Sequence, residues 1–321
     1  MPRRLISSTK SEIRTMNKEE LKYSIQASEG RVILSQNYVG SNALDEGTTN
    51  TELAEMFGAD MIFFNGYSMN PESNMPGLMV YEFNNGAYEQ KYYRLKDMKK
   101  ITKSPLGIYL ECGLGDDPKT STSATSDLIR PDRTTSDENL RKLLDEEADF
   151  VILAGNPGTG TSMDTIVDST KRAKKILGDK VMIWAGKWED GVNEYVLGDP
   201  LRPDSKEVIT KLIDAGADVI CLPMPGSRTG ITVTDIRELV TYIHTYKPGT
   251  LAMSFLDGSV EGSDESTIRE CSLMSKQTGA DIHAIGDAGL SGVASPEGIY
   301  QMALTIKGRR LTWFKMASGH R

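Results

Sequence analysis

Short apolar runs recur along the chain, separated by longer stretches of helical periodicity, and four of these runs share one kind of entry. Gly58-Ala59-Asp60 precedes MIFFN, Glu147-Ala148-Asp149 precedes FVILAG, Gly216-Ala217-Asp218 precedes VICLP, and Gly279-Ala280-Asp281 precedes IHAIG. At each junction a helix-like pattern ends, a residue tolerant of the left-handed region turns the chain, and a short buried strand begins. Further runs at residues 32–36, 106–112, 181–186 and 251–255 bring the predicted strands to eight. Near-continuous apolar strands alternating with helices require a parallel sheet covered on both faces. Eight such units with a repeated junction favour a closed (β/α)8 barrel over an open doubly wound sheet.

Helix starts are marked as well. Thr161-x-x-Asp164 and Thr232-x-x-Asp235 resemble capping boxes, Asp204 precedes a helix, and Ser295-Pro296-Glu297 supplies a cap, a first-turn proline and an acid. The periodicity predicts a helical extension over residues 1–30 that covers the barrel's N-terminal mouth, a barrel over 31–308 and a basic tail over 309–321. Two connections are long, 66–94 and 113–135, and both are expected on the catalytic face as lids or contact segments. The first carries Tyr67, Tyr81, Tyr88, Tyr92 and Tyr93, which are expected to serve packing more than substrate contact, and the second carries the polar run 120–126.

Composition narrows the setting. With 321 residues the chain suits one barrel with extensions, and a net charge of −8 argues against general nucleic-acid binding, which needs a basic surface. Three widely spaced cysteines form neither a disulfide framework nor a CxxC pair, and no apolar run is long enough to span a membrane, so the expected setting is cytoplasmic. Homo-oligomerisation is expected, through 66–94 and the segment from Lys307.

In a barrel of this kind, chemistry sits at the C-terminal ends of the strands. Alternation along the third predicted strand sends Ile108, Leu110 and Cys112 toward the helices and Gly107, Tyr109 and Glu111 toward the axis. A carboxylate there is costly unless it binds a metal, pairs with a cation or handles protons, which makes Glu111 a candidate base or metal ligand. Lys187, ending the fifth strand, suits a substrate anion, a polarised carbonyl or, less readily, an imine, and its structural alternative is an ion pair with Glu111. On the eighth strand His283 and Asp287 share parity and are candidate proton carriers, although a lone histidine is more often a hydrogen-bonded core group. Asp257 is a further candidate for binding a metal or a hydroxyl.

Glycine-rich loops follow the fourth and eighth strands. Backbone N–H groups around Asn156, Gly158 and Gly160, and around Gly286, Gly289 and Ser291, could cradle an anion, with Ser227 and Arg228 after the sixth strand completing the grip. The first loop is not a P-loop, since Thr161 stands where the lysine would be. Any metal would be Mg²⁺ or Mn²⁺, held by Glu111 and Asp287, because oxygen donors dominate the candidates. No organic cofactor is indicated. Only three histidines occur, which excludes a His-rich metal site.

In the motifs SEGRVILSQ, ILAGNPGTG, IWAGKWEDG, CLPMPGSRTGIT and MSKQTGADIHAIGDAGLSG, the chain resembles a family of bacterial TIM-barrel proteins labelled phosphoenolpyruvate phosphonomutase-like or haloacid-dehalogenase-like. The resemblance runs nearly end to end and implies the barrel. The dehalogenase motif DxDx[TV] and the mutase motif DxDxG[FY]G are absent, and Lys187 is followed by Trp188-Glu189 in place of the mutase gating loop, so the resemblance carries over no catalytic residue.

Three functions follow in order of preference. The first is a lyase or isomerase acting on a small phosphorylated or carboxylated metabolite through an enolate or carbanion. The second is hydrolysis of a phosphate ester or glycosidic bond by Glu111 and Asp287 as paired carboxylates. The third is a barrel that binds a metabolite or partner without catalysis.

Overall fold

A computed structural model describes residues 3–113, 130–155, 159–189, 194–289 and 291–318. Ten strands are present among them: β1 (Val32–Tyr38), β2 (Met61–Asn65), β3 (Met79–Asn84), β4 (Ala87–Tyr92), β5 (Leu106–Glu111), β6 (Phe150–Ala154), β7 (Met182–Gly186), β8 (Val219–Pro223), β9 (Leu251–Leu256) and β10 (Ile282–Ile285). Eight close into a parallel barrel in the order β1-β2-β5-β6-β7-β8-β9-β10, and β3 and β4 form a separate antiparallel hairpin. The helices are α1 (Lys10–Arg14), α2 (Lys18–Gln26), α3 (Asn50–Met56), α4 (Leu95–Ile101), α5 (Asp137–Asp145), α6 (Met163–Leu177), α7 (Ser205–Ala215), α8 (Val233–Tyr246), α9 (Glu265–Thr278) and α10 (Pro296–Ala317). None of the described helices is long and apolar enough to cross a membrane.

Strand alternation produces two apolar layers. Leu34, Phe63, Tyr109, Ile152, Trp184, Cys221, Met253 and Ala284 fill the barrel interior. Their neighbours Ile33, Ile62, Ile108, Val151, Ile183, Ile220 and Ala252 pack outward against the helices. Leu5, Ile6, Ile13, Leu21 and Ile25 join the interior cluster beside residues that begin strands, such as Val32, Met182 and Ile282, so the opening segment closes the N-terminal end. The opposite end is the one left for a site.

The repeated junction has a physical explanation in the fold. Gly58, Glu147, Gly216 and Gly279 all sit at positive φ, and the aspartate two residues on reaches across to the adjacent strand. The backbone N–H of Ile33 donates to Asp60 at 2.9 Å, that of Leu106 to Asp149 at 2.8 Å, that of Ile183 to Asp218 at 2.9 Å and that of Ala252 to Asp281 at 2.8 Å. Each aspartate thus satisfies a strand-edge donor that the barrel ladder leaves open. Each also has a basic partner: Lys307 for Asp60, Lys99 for Asp149, Lys18 and Lys22 for Asp218, and the His244 imidazole for Asp281. The His244 pairing raises the imidazole's pKa, the hydrogen bond to Asp281 outweighing desolvation.

Three expectations are corrected. Ser162, not Thr161, caps α6, accepting from Thr165 N–H at 3.2 Å. Residues 309–317 are not a tail: after a break at Gly308 (φ 73°) they continue α10 and bury Leu311, Thr312 and Lys315. The connection 66–94 contains the β3–β4 hairpin, turned by Asn85 and Gly86 with φ of 49° and 86°. Asn-Gly at a two-residue turn supplies the positive φ that a type I′ geometry demands. Of the tyrosines in this connection, Tyr67 is buried against Phe64, whereas Tyr88 is 74% exposed. The polar run 120–126 lies outside the described residues.

Candidate active site

The C-terminal mouth rests on an aromatic layer. Phe63, Tyr109, Trp188 and Phe255 contact one another, with Trp188 and Phe255 ring centres 4.8 Å apart and Phe63 and Phe255 5.9 Å apart. Above this layer is a cavity of about 330 Å³ lined by Gln36, Asn65, Tyr109, Trp188, Glu189, Asp257, Glu261 and Asp287, with backbone from Gly258 through Ser259 and from Ala288 to Gly289. That is the size of a small-metabolite pocket.

Asp257, just past β9, is the best anchored acid. Trp188 Nε1–H donates to its Oδ2 at 2.5 Å, and the Gly258 N–H donates to its Oδ1 at 2.7 Å. Two further carboxyls face it. Glu189 follows β7, and burial together with the charge of Asp257 pushes its pKa up to about 8 against the pull of Arg228 and Lys187. Glu261 lies in the short helical turn Ser259–Gly262, and burial with the charges of Asp257 and Asp287 pushes it up to about 10, opposed by the Ala288 N–H that donates to its Oε1 at 2.7 Å. Burial and like charge thus bias both carboxyls toward the protonated form. Carboxyls so biased beside a third are a means of both taking and giving a proton within one cleft.

The cations are Arg228 and Lys187. Arg228 Nε–H donates to the Trp188 carbonyl at 3.1 Å, and its Nη2 lies 3.4 Å from Glu189 Oε1. That Nη2 is buried and makes no hydrogen bond among the described residues. Lys187 is 1% exposed and its ammonium donates to the Glu189 carbonyl. The pair Lys187 and Arg228 therefore brackets Glu189 from its backbone and its carboxyl.

The predicted residues do not all meet here. Asp287 lines the cavity, with the Gly289 N–H on its Oδ1 at 3.0 Å. Glu111 ends β5 on the axis side, its Oε2 3.5 Å from the Tyr109 hydroxyl. His283 stands elsewhere. It faces α9 from the outer side of β10, where Nε2–H donates to the Gly30 carbonyl at 3.1 Å and Nδ1 accepts from the Ser275 hydroxyl at 2.7 Å. Burial lowers its pKa to about 4, so it is a neutral structural link and does not share the mouth with Asp287. The parity argument failed because β10 ends at Ile285 and the chain turns before Asp287.

The anion cradle is corrected likewise. After β10 the N–H of Gly286 donates to the Leu256 carbonyl, and those of Ala288 and Gly289 are taken by Glu261 and Asp287. Ser227 spends its hydroxyl on the Met224 carbonyl at 2.6 Å, and the Ser291 carbonyl accepts from Asn50 at 2.6 Å. Gly160 is in the left-handed region, next to the turn that leads into α6, while Asn156 and Gly158 lie outside the described residues. The Mg²⁺ or Mn²⁺ expectation finds no ligand set: among the described residues no three His, Cys, Asp or Glu side chains are arranged to hold an ion, and no chemical step is drawn through one.

Sequence reasoning missed Glu189, Glu261, Gln36 and Asn65. Glu189 was legible as part of Lys187-Trp188-Glu189 at a strand end. Glu261 had no such signal, because only the turn after β9 brings it over the mouth.

Fold and site together define a (β/α)8 barrel with ionisable groups gathered at its C-terminal mouth. The chain belongs to the family described as Domain of unknown function (DUF7916), matched over residues 6–321. No curated protein matches its sequence. Among solved structures, an archaeal fructose 1,6-bisphosphate aldolase shares the fold, with TM-score 0.53, 13% identity, 91% of this chain and 100% of that one covered. A 2,3-dimethylmalate lyase of the PEP mutase/isocitrate lyase superfamily matches with TM-score 0.47 at 13% identity, with 86% of this chain and 83% of that one covered. An inosine 5′-monophosphate dehydrogenase from Legionella pneumophila matches with TM-score 0.42 and 15% identity over 81% of this chain, which spans 60% of that protein. No comparison supports the haloacid-dehalogenase label.

Proposed function

We propose that the mouth carries out proton-transfer chemistry of the lyase or isomerase type on a small carboxylated or phosphorylated metabolite. One observation carries this reading: Asp257, fixed by two N–H donors, faces the half-buried Glu189 and the buried Glu261, whose pKa values burial and the charge of Asp257 push upward. Removing a proton next to a carbonyl needs a base on one side and a proton or positive charge on the oxygen that becomes an enolate. Asp257 is the base in this scheme. Glu189, carrying its proton, donates to the developing oxyanion, and Lys187 adds positive charge behind it. Arg228 holds the substrate's anionic group through its Nη2, which pairs loosely with Glu189 at 3.4 Å and forms no hydrogen bond among the described residues, a donor that a ligand oxygen would satisfy. The likeness to the aldolase supports the fold and carries nothing about the reaction.

The test is a thermal-shift panel of small keto and hydroxy carboxylates and their phosphorylated counterparts, on the wild type and on Arg228→Ala. A ligand that binds only the native state raises its stability by RT ln(1 + [L]/Kd). The expected result is a shift from anionic members of the panel that Arg228→Ala abolishes. A shift that survives Arg228→Ala, or one from neutral sugars alone, overturns the anion-holding role and favours the hydrolase.

A further inference from the structure

The β3–β4 hairpin has an unusual distribution of side chains. Its register pairs Met79 with Tyr92, Tyr81 with Gln90 and Phe83 with Tyr88 on one face, and Val80 with Lys91, Glu82 with Glu89 and Asn84 with Ala87 on the other. The first face is therefore aromatic and almost without charge, yet Phe83 is 67% and Tyr88 is 74% exposed. All of β4 is exposed, and among the described residues β3 is the only strand that bonds to it. A two-stranded ribbon with a bare edge is marginal by itself and a template for pairing.

The edge selects its own partner. With Asn84 and Ala87 flanking a two-residue turn, alternation turns the amides of Ala87, Glu89 and Lys91 toward β3 and those of Tyr88, Gln90 and Tyr92 outward. Among the described residues, those outward groups form no backbone hydrogen bond. On the charged face Glu82 sits directly opposite Glu89, a like-charge pair, and Lys91 bonds Glu82, so Glu89 has no ion pair among the described residues.

We propose that a second copy of this chain pairs with the first along β4, antiparallel, with Gln90 on the two-fold axis. In that register the outward amides of Tyr88, Gln90 and Tyr92 meet those of Tyr92, Gln90 and Tyr88 of the second copy. Glu89 then lies opposite Lys91 in both halves, and Tyr88 lies beside Tyr92. Of the other registers, those that engage at least two of the three outward residues centre on Glu89 or on Lys91 and set like charges against each other, so charge complementarity and extent of pairing single out the one on Gln90. The pairing is isologous and forms a four-stranded sheet whose aromatic face is continuous across the axis.

Sedimentation of the full chain over a concentration series, with far-UV circular dichroism to verify the barrel, tests this. The wild type is expected to dimerise, Glu89→Lys and Lys91→Glu each to weaken self-association about tenfold, and the double swap to restore it. A wild type that stays monomeric throughout the series overturns the proposal. So does a dimer indifferent to both single swaps, or single swaps that weaken it without rescue by the double.

Discussion

Replacing Glu261 with glutamine should make stability less sensitive to alkaline pH, by an amount that follows from the structure. In the unfolded chain this carboxyl titrates near its ordinary 4.5, and in the fold it is pushed up to about 10 by burial, Asp257 and Asp287. Between these limits the native state binds the extra proton. Stability is therefore fully present below the lower limit and is lost as pH rises toward the upper one. One proton costs about 1.4 kcal/mol per pH unit, which sets a ceiling of about 3 kcal/mol between pH 6 and 8. Sharing of charge with Asp257 and Glu189 reduces it, and about 1–2 kcal/mol is the expected difference. Glutamine keeps the shape of the protonated acid and an oxygen for the Ala288 N–H, but it cannot ionise. For a chain of this size each kcal/mol moves Tm by about 1–2 °C. Melting curves followed by circular dichroism at pH 6 and 8 should therefore show the wild type losing about 1–4 °C more than Glu261→Gln. Parallel losses in the two proteins would mean that the fold carries this charge without penalty, and the raised carboxyls of the mouth would have to be abandoned.

Other outcomes follow from single contacts. A Cβ on Gly286 would lie 1.6 Å from Glu261 Oε2, so Gly286→Ala should displace that carboxyl, abolish ligand-induced stabilisation and leave the barrel's circular dichroism intact. Glu147 adopts φ 58° where its three counterparts are glycine, so Glu147→Gly should raise stability by about 0.5–1 kcal/mol in urea denaturation, the reverse of glycine's usual effect. His283→Ala should cost about 2–4 kcal/mol by leaving Ser275 and the Gly30 carbonyl without partners. It should leave the affinity for any ligand of the mouth unchanged, which isothermal titration would show.

The barrel was legible because its signals are local and repeated. The four junctions, the Ser295-Pro296 and Thr232 caps and the apolar runs each report a short stretch of chain, and the structure places them at strand starts and helix ends. What the Asp residues do was not legible, since each bonds to a strand far away in sequence. The site was legible only where strand parity holds. Glu111 ends β5 on the axis side and Arg228 stands beside Trp188 and Glu189, while Asp287 lines the mouth but arrives there by a turn and not by parity. His283 was misplaced because parity was extended past the end of a short strand. Glu261 was missed because its position depends on a turn over the barrel axis. The glycine loop after β10 looked free to hold an anion, but acids from the chain itself occupy its amides, a competition that spacing alone does not record. The hairpin in 66–94 carried a readable Asn-Gly turn between alternating residues, and the expectation of a lid obscured it.

The central claim is that Asp257 removes a proton from a bound substrate. Proton NMR of each carboxylate that stabilises the protein, incubated with it in deuterated water, tests this most directly. The account predicts loss of one carbon-bound proton signal next to a carbonyl with the wild type, no loss with Asp257→Asn, and retained ligand binding by that variant. Exchange that continues unchanged in a folded Asp257→Asn protein would contradict it.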